Sequence, residues 1–179
     1  MSTIDPSASI EIAEMVKKTG AGFIDAPVVK SKPAAIAGKL GIYVGGDEQT
    51  FEKMRRVLLY MGENVVRMGD NGKGLVMKIC HNALVSQIQN GVNETITLAQ
   101  RNGISVSAYA EAISYGGGQN FYLDGKLRRL KRRLHQLRFP WKTWQRMYIF
   151  AWNWLKSADS ICPASRMPVT YMTRLWNWD

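Results

Sequence analysis

From Leu75 to Ile96 the apolar residues Leu75, Val76, Met77, Ile79, Ala83, Leu84, Val85, Ile88, Val92 and Ile96 fall on every side of a helical projection rather than in one stripe. That is the pattern of a helix packed inside a larger assembly. No proline interrupts the segment, and the turn before it carries Asn71-Gly72 and Gly74, where positive φ is cheap. Upstream, Asp5-Pro6 reads as a helix start, with Ala8, Ile12, Met15 and Val16 as the apolar face and Gly20 as the stop. GFIDAPVV (Gly22 to Val29) reads as a strand entering a loop, and LGIYVGG (Leu40 to Gly46) as a second strand. A helix follows from about Asp47 to Met61, with Phe51, Met54, Leu58 and Met61 on one face and Arg55 and Arg56 outside it. NVVRM (Asn64 to Met68) is a short strand that leads into the central turn. After the long helix, Asn102-Gly103 closes it, and Ser105 can cap a further helix carrying Val106, Tyr109, Ala110 and Ile113. Gly116-Gly117-Gly118 breaks that helix. Strands alternating with helices, then helices alone, predict an α/β region followed by an all-α region built on one long helix.

Composition changes this picture mainly at the C-terminal end. Of the 179 residues, 46% are hydrophobic and 21% charged, a globular balance with room for one domain or two small ones. The net charge is +10, yet residues 1–126 hold 13 Lys/Arg against 12 Asp/Glu, while residues 127–179 hold 11 against 2. The basicity belongs to the tail alone. All six tryptophans also lie between Trp141 and Trp178. Three readings of this tail stand open: a basic amphipathic helix for a membrane surface or partner, with Leu127, Leu130, Leu134 and Leu137 at helical spacing; a nucleic-acid arm; or unselected sequence from a shift of reading frame near Lys126. The third is favoured, because local pattern and global fold stop agreeing at one point. Cys80 and Cys162 imply no disulfide framework and no metal site, and neither a signal peptide nor an apolar run of membrane-spanning length is visible, so the expected compartment is the cytoplasm.

On the central helix one polar row stands out, since Lys78, Asn82, Gln89 and Asn93 fall within about 60° of one another at roughly 100° per residue. A lysine and an asparagine one turn apart on an otherwise buried helix point into one small volume, where both need partners. The competing reading, which spacing alone favours, is a lysine that snorkels to the surface near a helix start. His81, beside Asn82, reads as a core or supporting residue rather than a ligand, and His135 as a histidine in a basic run.

GDNGKGLVMKICHN (Gly69 to Asn82) resembles the G-x-x-G-x-G-x-x-x-K-x-x-x-N signature of the β-hydroxyacid dehydrogenases, the family of 3-hydroxyisobutyrate dehydrogenase and tartronate semialdehyde reductase within the 6-phosphogluconate dehydrogenase superfamily. The resemblance, which runs from about Ser2 to Lys126, makes Lys78 the catalytic lysine and Asn82 its substrate-orienting neighbour. It also implies NAD or NADP as cofactor, a small 3-hydroxy acid as substrate, and a homo-oligomer in which the long helix packs between subunits. MSTIDP is similar to the family's D-M-S-T-I-x-P segment, which puts Thr3 beside the cofactor. Asp25, Ala26, Pro27 and Val28 match the family's D-A-P-V-S-G-G, whose S-G-G binds the substrate carboxylate through backbone amides. Here the chain departs, with Val29, Lys30 and Ser31 at those positions; Lys30, Ser31 or Lys32 can still offer charge and hydroxyl to a carboxylate or phosphate, against the alternative of a solvated loop.

No G-x-G-x-x-G stands at the start of the chain, and neither Gly45-Gly46 nor Gly116 to Gly118 has the spacing to replace it. The expected fold is therefore an α/β remnant of a Rossmann-type domain (1–70) leading into a helical domain (71–126), then the tail (127–179), with the cofactor module upstream of Met1. Little or no activity is expected of the chain by itself. The rival functions are a binding protein that uses its basic, tryptophan-rich tail and a truncated family member retained as a dimer partner.

Overall fold

The computed structural model describes residues 1–131, so the readings placed on the tail beyond Lys131 lie outside the described residues. The chain divides into two compact units, Met1–Leu84 and Val85–Asp179.

In the first unit, helix α1 (Pro6–Lys17) starts as the sequence predicts, with the Asp5 carboxylate accepting from the Ser7 amide at 2.8 Å and Pro6 in the first turn. Its buried face differs from the expected one. Pro6, Ser9 and Ala13 are buried, whereas Ile12 and Met15 are 40% and 67% exposed. Small residues at i, i+3 and i+7 let a helix approach its support closely, and here that close approach sets the inward face.

Three strands follow: β1 (Val28–Val29), β2 (Gly41–Gly45) and β3 (Asn64–Gly69), in the order β1-β2-β3. β1 pairs antiparallel to β2 through Val28 with Ile42, and β2 pairs parallel to β3 through Ile42 with Val65. The predicted first strand is thus shorter than expected; ahead of Val28 only Asp25 is paired, in an isolated bridge with Gly45. Pro27 has no N–H to give the ladder, although its carbonyl accepts from the Tyr43 amide at 3.1 Å. Between β1 and β2 lies a short helix, α2 (Lys32–Ile36), that the hydrophobic pattern did not signal.

Helix α3 (Glu48–Leu59) joins β2 to β3 and is capped by the Asp47 carboxylate on the Thr50 amide at 2.8 Å. The period of two along β2 puts Ile42 and Val44 on one face, in a core with Ala26, Phe51 and Leu58, and Tyr43 on the other. Ile42 and Val44 are fully buried, each stabilising the unit by about 1.5–3 kcal/mol relative to exposure. Met54, expected on the inner face of α3, is 37% exposed.

The long helix is present as α4 (Lys73–Arg101), of 29 residues. It ends as predicted: Gly103 has φ +77°, and the amides of Gly103 and Ile104 return to the carbonyls of Gln100 and Ala99. It is not apolar-faced to solvent-free depth all round, for Leu84 and Leu98 are 60% and 62% exposed. In the second unit, Val92 and Ile96 of α4 pack with Leu123, alongside Val106, Tyr109 and Ile113 of α5 (Val106–Ser114) and Leu127 of α6 (Phe121–Lys131). Ser105 caps α5 on the Ala108 amide, and Asn120 caps α6 on the amides of Tyr122 and Leu123. Among the described residues no helix is long and apolar enough to cross a membrane.

Candidate active site

The site is built around the turn from β3 into α4. The Gly72 carbonyl accepts from the Val76 amide, which makes Gly72 the residue that opens the helix, at φ +87°. The two helix-start amides of Gly72 and Leu75 both go to the buried carboxylate of Asp25, at 2.6 Å and 2.9 Å. These are the donors that a capping box satisfies locally, here satisfied by a residue almost fifty positions upstream. A carboxylate at a helix N-terminus is also electrostatically favoured. Asn71 adds a bond to the Phe23 carbonyl at 2.9 Å, and Arg67 Nε one to the Gly46 carbonyl at 2.9 Å.

The third glycine of the turn plays a different part from the one expected. Gly74 does not have positive φ. A Cβ there would lie 2.8 Å from Asp25 Oδ2, the Gly45 amide nitrogen and the Tyr43 carbonyl oxygen, so glycine is needed for close approach. Gly72 is also crowded, with a Cβ position 3.1 Å from Ile10 and 3.3 Å from the Pro6 carbonyl. The start of α4 is thereby held against β2, Asp25 and α1.

The clamped helix then carries Lys78 and, one turn on, Asn82. Asn82 is buried at 6% exposure. Lys78 is half-buried, and burial lowers its pKa from the ordinary 10.5. His81 lies between them in sequence, half-buried, with Nδ1 3.3 Å from the Tyr43 hydroxyl of β2. Its pKa falls below 6.5, first through burial and then through the charge of Lys78. A lysine of lowered pKa beside a buried amide can hand a proton to an oxygen and recover it.

The other expected site residues are placed elsewhere. Thr3 is exposed in the lead-in to α1, three residues before Pro6. Lys30 has φ 78°, the left-handed region, and its ammonium pairs with Glu63 at 2.7 Å. Ser31 is exposed, and its carbonyl accepts from the amides of Ala34 and Ala35 at the start of α2. Gln89 and Asn93 belong to the second unit, where Lys126 donates to Asn93. Two contributors went unnoticed in the sequence. Asp25 sits in the matched D-A-P-V segment, but its pairing across 47 and 50 residues has no local signal. The Tyr43 to His81 contact spans 38 residues and is equally invisible to periodicity.

Residues 1–69 match the family model described as the NAD binding domain of 6-phosphogluconate dehydrogenase. The chain is 36% identical over 123 residues to 3-hydroxyisobutyrate dehydrogenase of Pseudomonas aeruginosa, covering 69% of this chain and 41% of that protein. It is 41% identical over 123 residues to the mitochondrial 3-hydroxyisobutyrate dehydrogenase of Mus musculus, covering 69% of this chain and 37% of that protein. Over these residues the chain belongs to the β-hydroxyacid dehydrogenase family. NAD-dependent L-serine dehydrogenase of Pseudomonas aeruginosa is similar as well, at 34% identity over 123 residues, 69% of this chain and 41% of that protein. The family resemblance carries NAD(P) as cofactor. The chain spans about two fifths of the length of these curated relatives. In fold, it is similar to Mycobacterium tuberculosis 3-hydroxyisobutyrate dehydrogenase solved with L-serine, with a TM-score of 0.82 at 23% identity over 90% of this chain and 58% of that one. The first unit is accordingly a Rossmann-like NAD-binding fold with a small sheet and helices.

A dinucleotide pyrophosphate sits on free amides at a helix start after a strand. Three strand-to-helix turns are present among the described residues, from β1 to α2, from β2 to α3 and from β3 to α4. The turns into α3 and α4 already carry a carboxylate, Asp47 on one and Asp25 on the other, and in the turn into α2 Pro33 has no N–H while the amides of Ala34 and Ala35 go to the Ser31 carbonyl. None of the three suits a pyrophosphate, two because a carboxylate would repel it and one because proline removes a donor.

Proposed function

We propose that this chain carries the proton-handling part of a hydroxyacid dehydrogenase site, for the reversible oxidation of a small 3-hydroxy acid with NAD or NADP. The observation that carries the reading is Lys78, half-buried with a lowered pKa one turn from buried Asn82, on a helix whose start is clamped by Asp25. Lys78 protonates the carbonyl oxygen during reduction and takes the proton back during oxidation. Asn82 hydrogen-bonds the substrate and holds it in line with the ammonium. The acid's carboxylate falls to Ser31 and to Lys30, whose present partner Glu63 is solvent-exposed and readily exchanged. Thr3 borders the cofactor.

The helix that bears Lys78 packs against a second subunit in this reading, and the helices after it form the all-α domain of the family. Because the strand-to-helix turns into α3 and α4 carry carboxylates and the turn into α2 has a proline, none suits a pyrophosphate, and the 179-residue polypeptide assayed by itself is expected to turn over little or no 3-hydroxy acid. Substrate binding separates the site assignment from turnover. Addition of 3-hydroxyisobutyrate is expected to shift the NMR resonances of the Lys78 and Asn82 side chains, and Lys78→Ala to abolish the Asn82 shift. Resonances that stay fixed at saturating acid overturn the assignment. Turnover lost in Lys78→Ala would uphold the site and refute the expected inactivity.

A further inference from the structure

We propose that Tyr43 and His81 form a positioning pair that ties the third turn of α4 to the sheet and so fixes Lys78 and Asn82 toward the substrate. The inference rests on the proton-handling role of Lys78 proposed above. Three observations carry it. His81 precedes Asn82 directly and follows Lys78 by three residues, so its backbone lies in the same turn as both. Its Nδ1 is 3.3 Å from the Tyr43 hydroxyl, with the rings tilted at 58° and their centroids 6.1 Å apart. Tyr43 itself is fixed by the β2 ladder, between Ile42 and Val44, which are wholly buried on the opposite face.

The Asp25 clamp holds the first turn of α4, at Gly72 and Leu75. Without a second tie, helix rotation and tilt would grow along its length, and a long lysine side chain converts small backbone movements into large displacements of the ammonium. The Tyr43 to His81 bond supplies a side-chain tie one to two turns further on. The pair also suits its neighbour electrostatically. Burial and the Lys78 charge both keep the imidazole neutral, so that it presents one donor and one acceptor nitrogen and adds no second positive charge beside the ammonium. Either tautomer serves the contact: the Tyr43 hydroxyl donates to Nδ1 when the ring proton is on Nε2, and accepts when it is on Nδ1.

The test uses the full chain and reads Lys78 directly, as the pH dependence of its acetylation by acetic anhydride, followed by mass spectrometry, with circular dichroism to confirm folding. Tyr43→Phe removes one hydroxyl and keeps the ring. His81→Leu removes both ring nitrogens, and His81→Asn places an amide near the position of Nδ1. Tyr43→Phe and His81→Leu are expected to lower the free-amine fraction of Lys78 at neutral pH by about threefold, as the ammonium gains water, while His81→Asn stays near the wild-type profile. A purely structural role would lower thermal stability and leave that profile in place. Folded Tyr43→Phe with an unchanged Lys78 profile overturns the proposal, even where His81→Leu does not fold. Failure of 3-hydroxyisobutyrate to bind, with Lys78 still responding to Tyr43→Phe, would sink the substrate reading and leave the positioning pair standing.

Discussion

Two bends of this chain make the same left-handed excursion with different residues. At the turn into α4, Gly72 has φ +87°, and at the loop after β1, Lys30 has φ 78°. The first keeps the glycine of the family signature, and the second has lysine where the resembling motif has glycine. Lys30 adopts this conformation at the steric cost that a Cβ brings in this region. Motif and geometry are thus separable. Lys30 brings charge to its loop while keeping a left-handed φ, whereas the glycines before α4 are held by their surroundings as well as by φ.

The sharpest way to expose the difference is Gly74→Ala. Its Cβ would come within 2.8 Å of two backbone atoms, which cannot swing aside, and of Asp25 Oδ2, which its bonds to the Gly72 and Leu75 amides hold in place. A loss of about 3 kcal/mol is expected in urea denaturation, together with displacement of the Asp25 carboxylate. A loss below about 1 kcal/mol would mean that the clamp yields easily. Next comes Asp25→Ala, which leaves the Gly72 and Leu75 amides without their acceptor inside the protein. Unpaired buried donors and the lost helix-start charge together cost about 2 kcal/mol. Hydrogen exchange at Leu75 should rise correspondingly, while that at Ile42, in the opposite core, follows only the global change.

What the sequence disclosed follows from the range of the interactions involved. The starts of α1, α3 and α5 were legible because Asp5, Asp47 and Ser105 bond amides two or three residues away. The length of α4 and its end at Gly103 were legible for the same reason. Lys78 and Asn82 stood out by helical spacing and by family signature together. The inward face of α1 was misread because hydrophobicity ranks Ile12 and Met15 above Ser9 and Ala13, while the close approach of the helix favours the smaller pair. Asp25 and the Tyr43 to His81 contact were missed because their partners lie 38 to 50 residues away, beyond any periodic pattern.

Alanine and glycine at the two bends refine the comparison at smaller scale. Gly72→Ala is expected to cost about 1–2 kcal/mol, since positive φ is compounded by contact of the new Cβ with Ile10 and Pro6. At the other bend, Lys30→Gly should be more stable than Lys30→Ala by about 1 kcal/mol. Both variants lose the Glu63 pair, so their difference isolates the backbone. Equal stabilities of the two would show that φ at Lys30 relaxes freely, and the likeness to Gly72 would fail.

The smallest effect concerns whether the Glu63 pair itself holds Lys30 in place. The Lys30 and Glu63 side chains are 39% and 48% exposed at 2.7 Å separation, so solvent screens the attraction. The hydrogen bond from Lys30, followed by its charge, lowers the Glu63 pKa from 4.5. A carboxyl whose folded pKa is lowered contributes stability above its unfolded value and loses it as pH falls through the folded value. The unfolded value here is the ordinary 4.5, so the contribution is present at neutral pH and fades in acid. Glu63→Gln should therefore melt slightly below wild type at neutral pH and low salt, and together with it in acid or in high salt. If the gap persisted in either condition, the left-handed loop would depend on Glu63 for something other than its charge, and the backbone, rather than the pair, would have to be re-examined as what sets φ at Lys30.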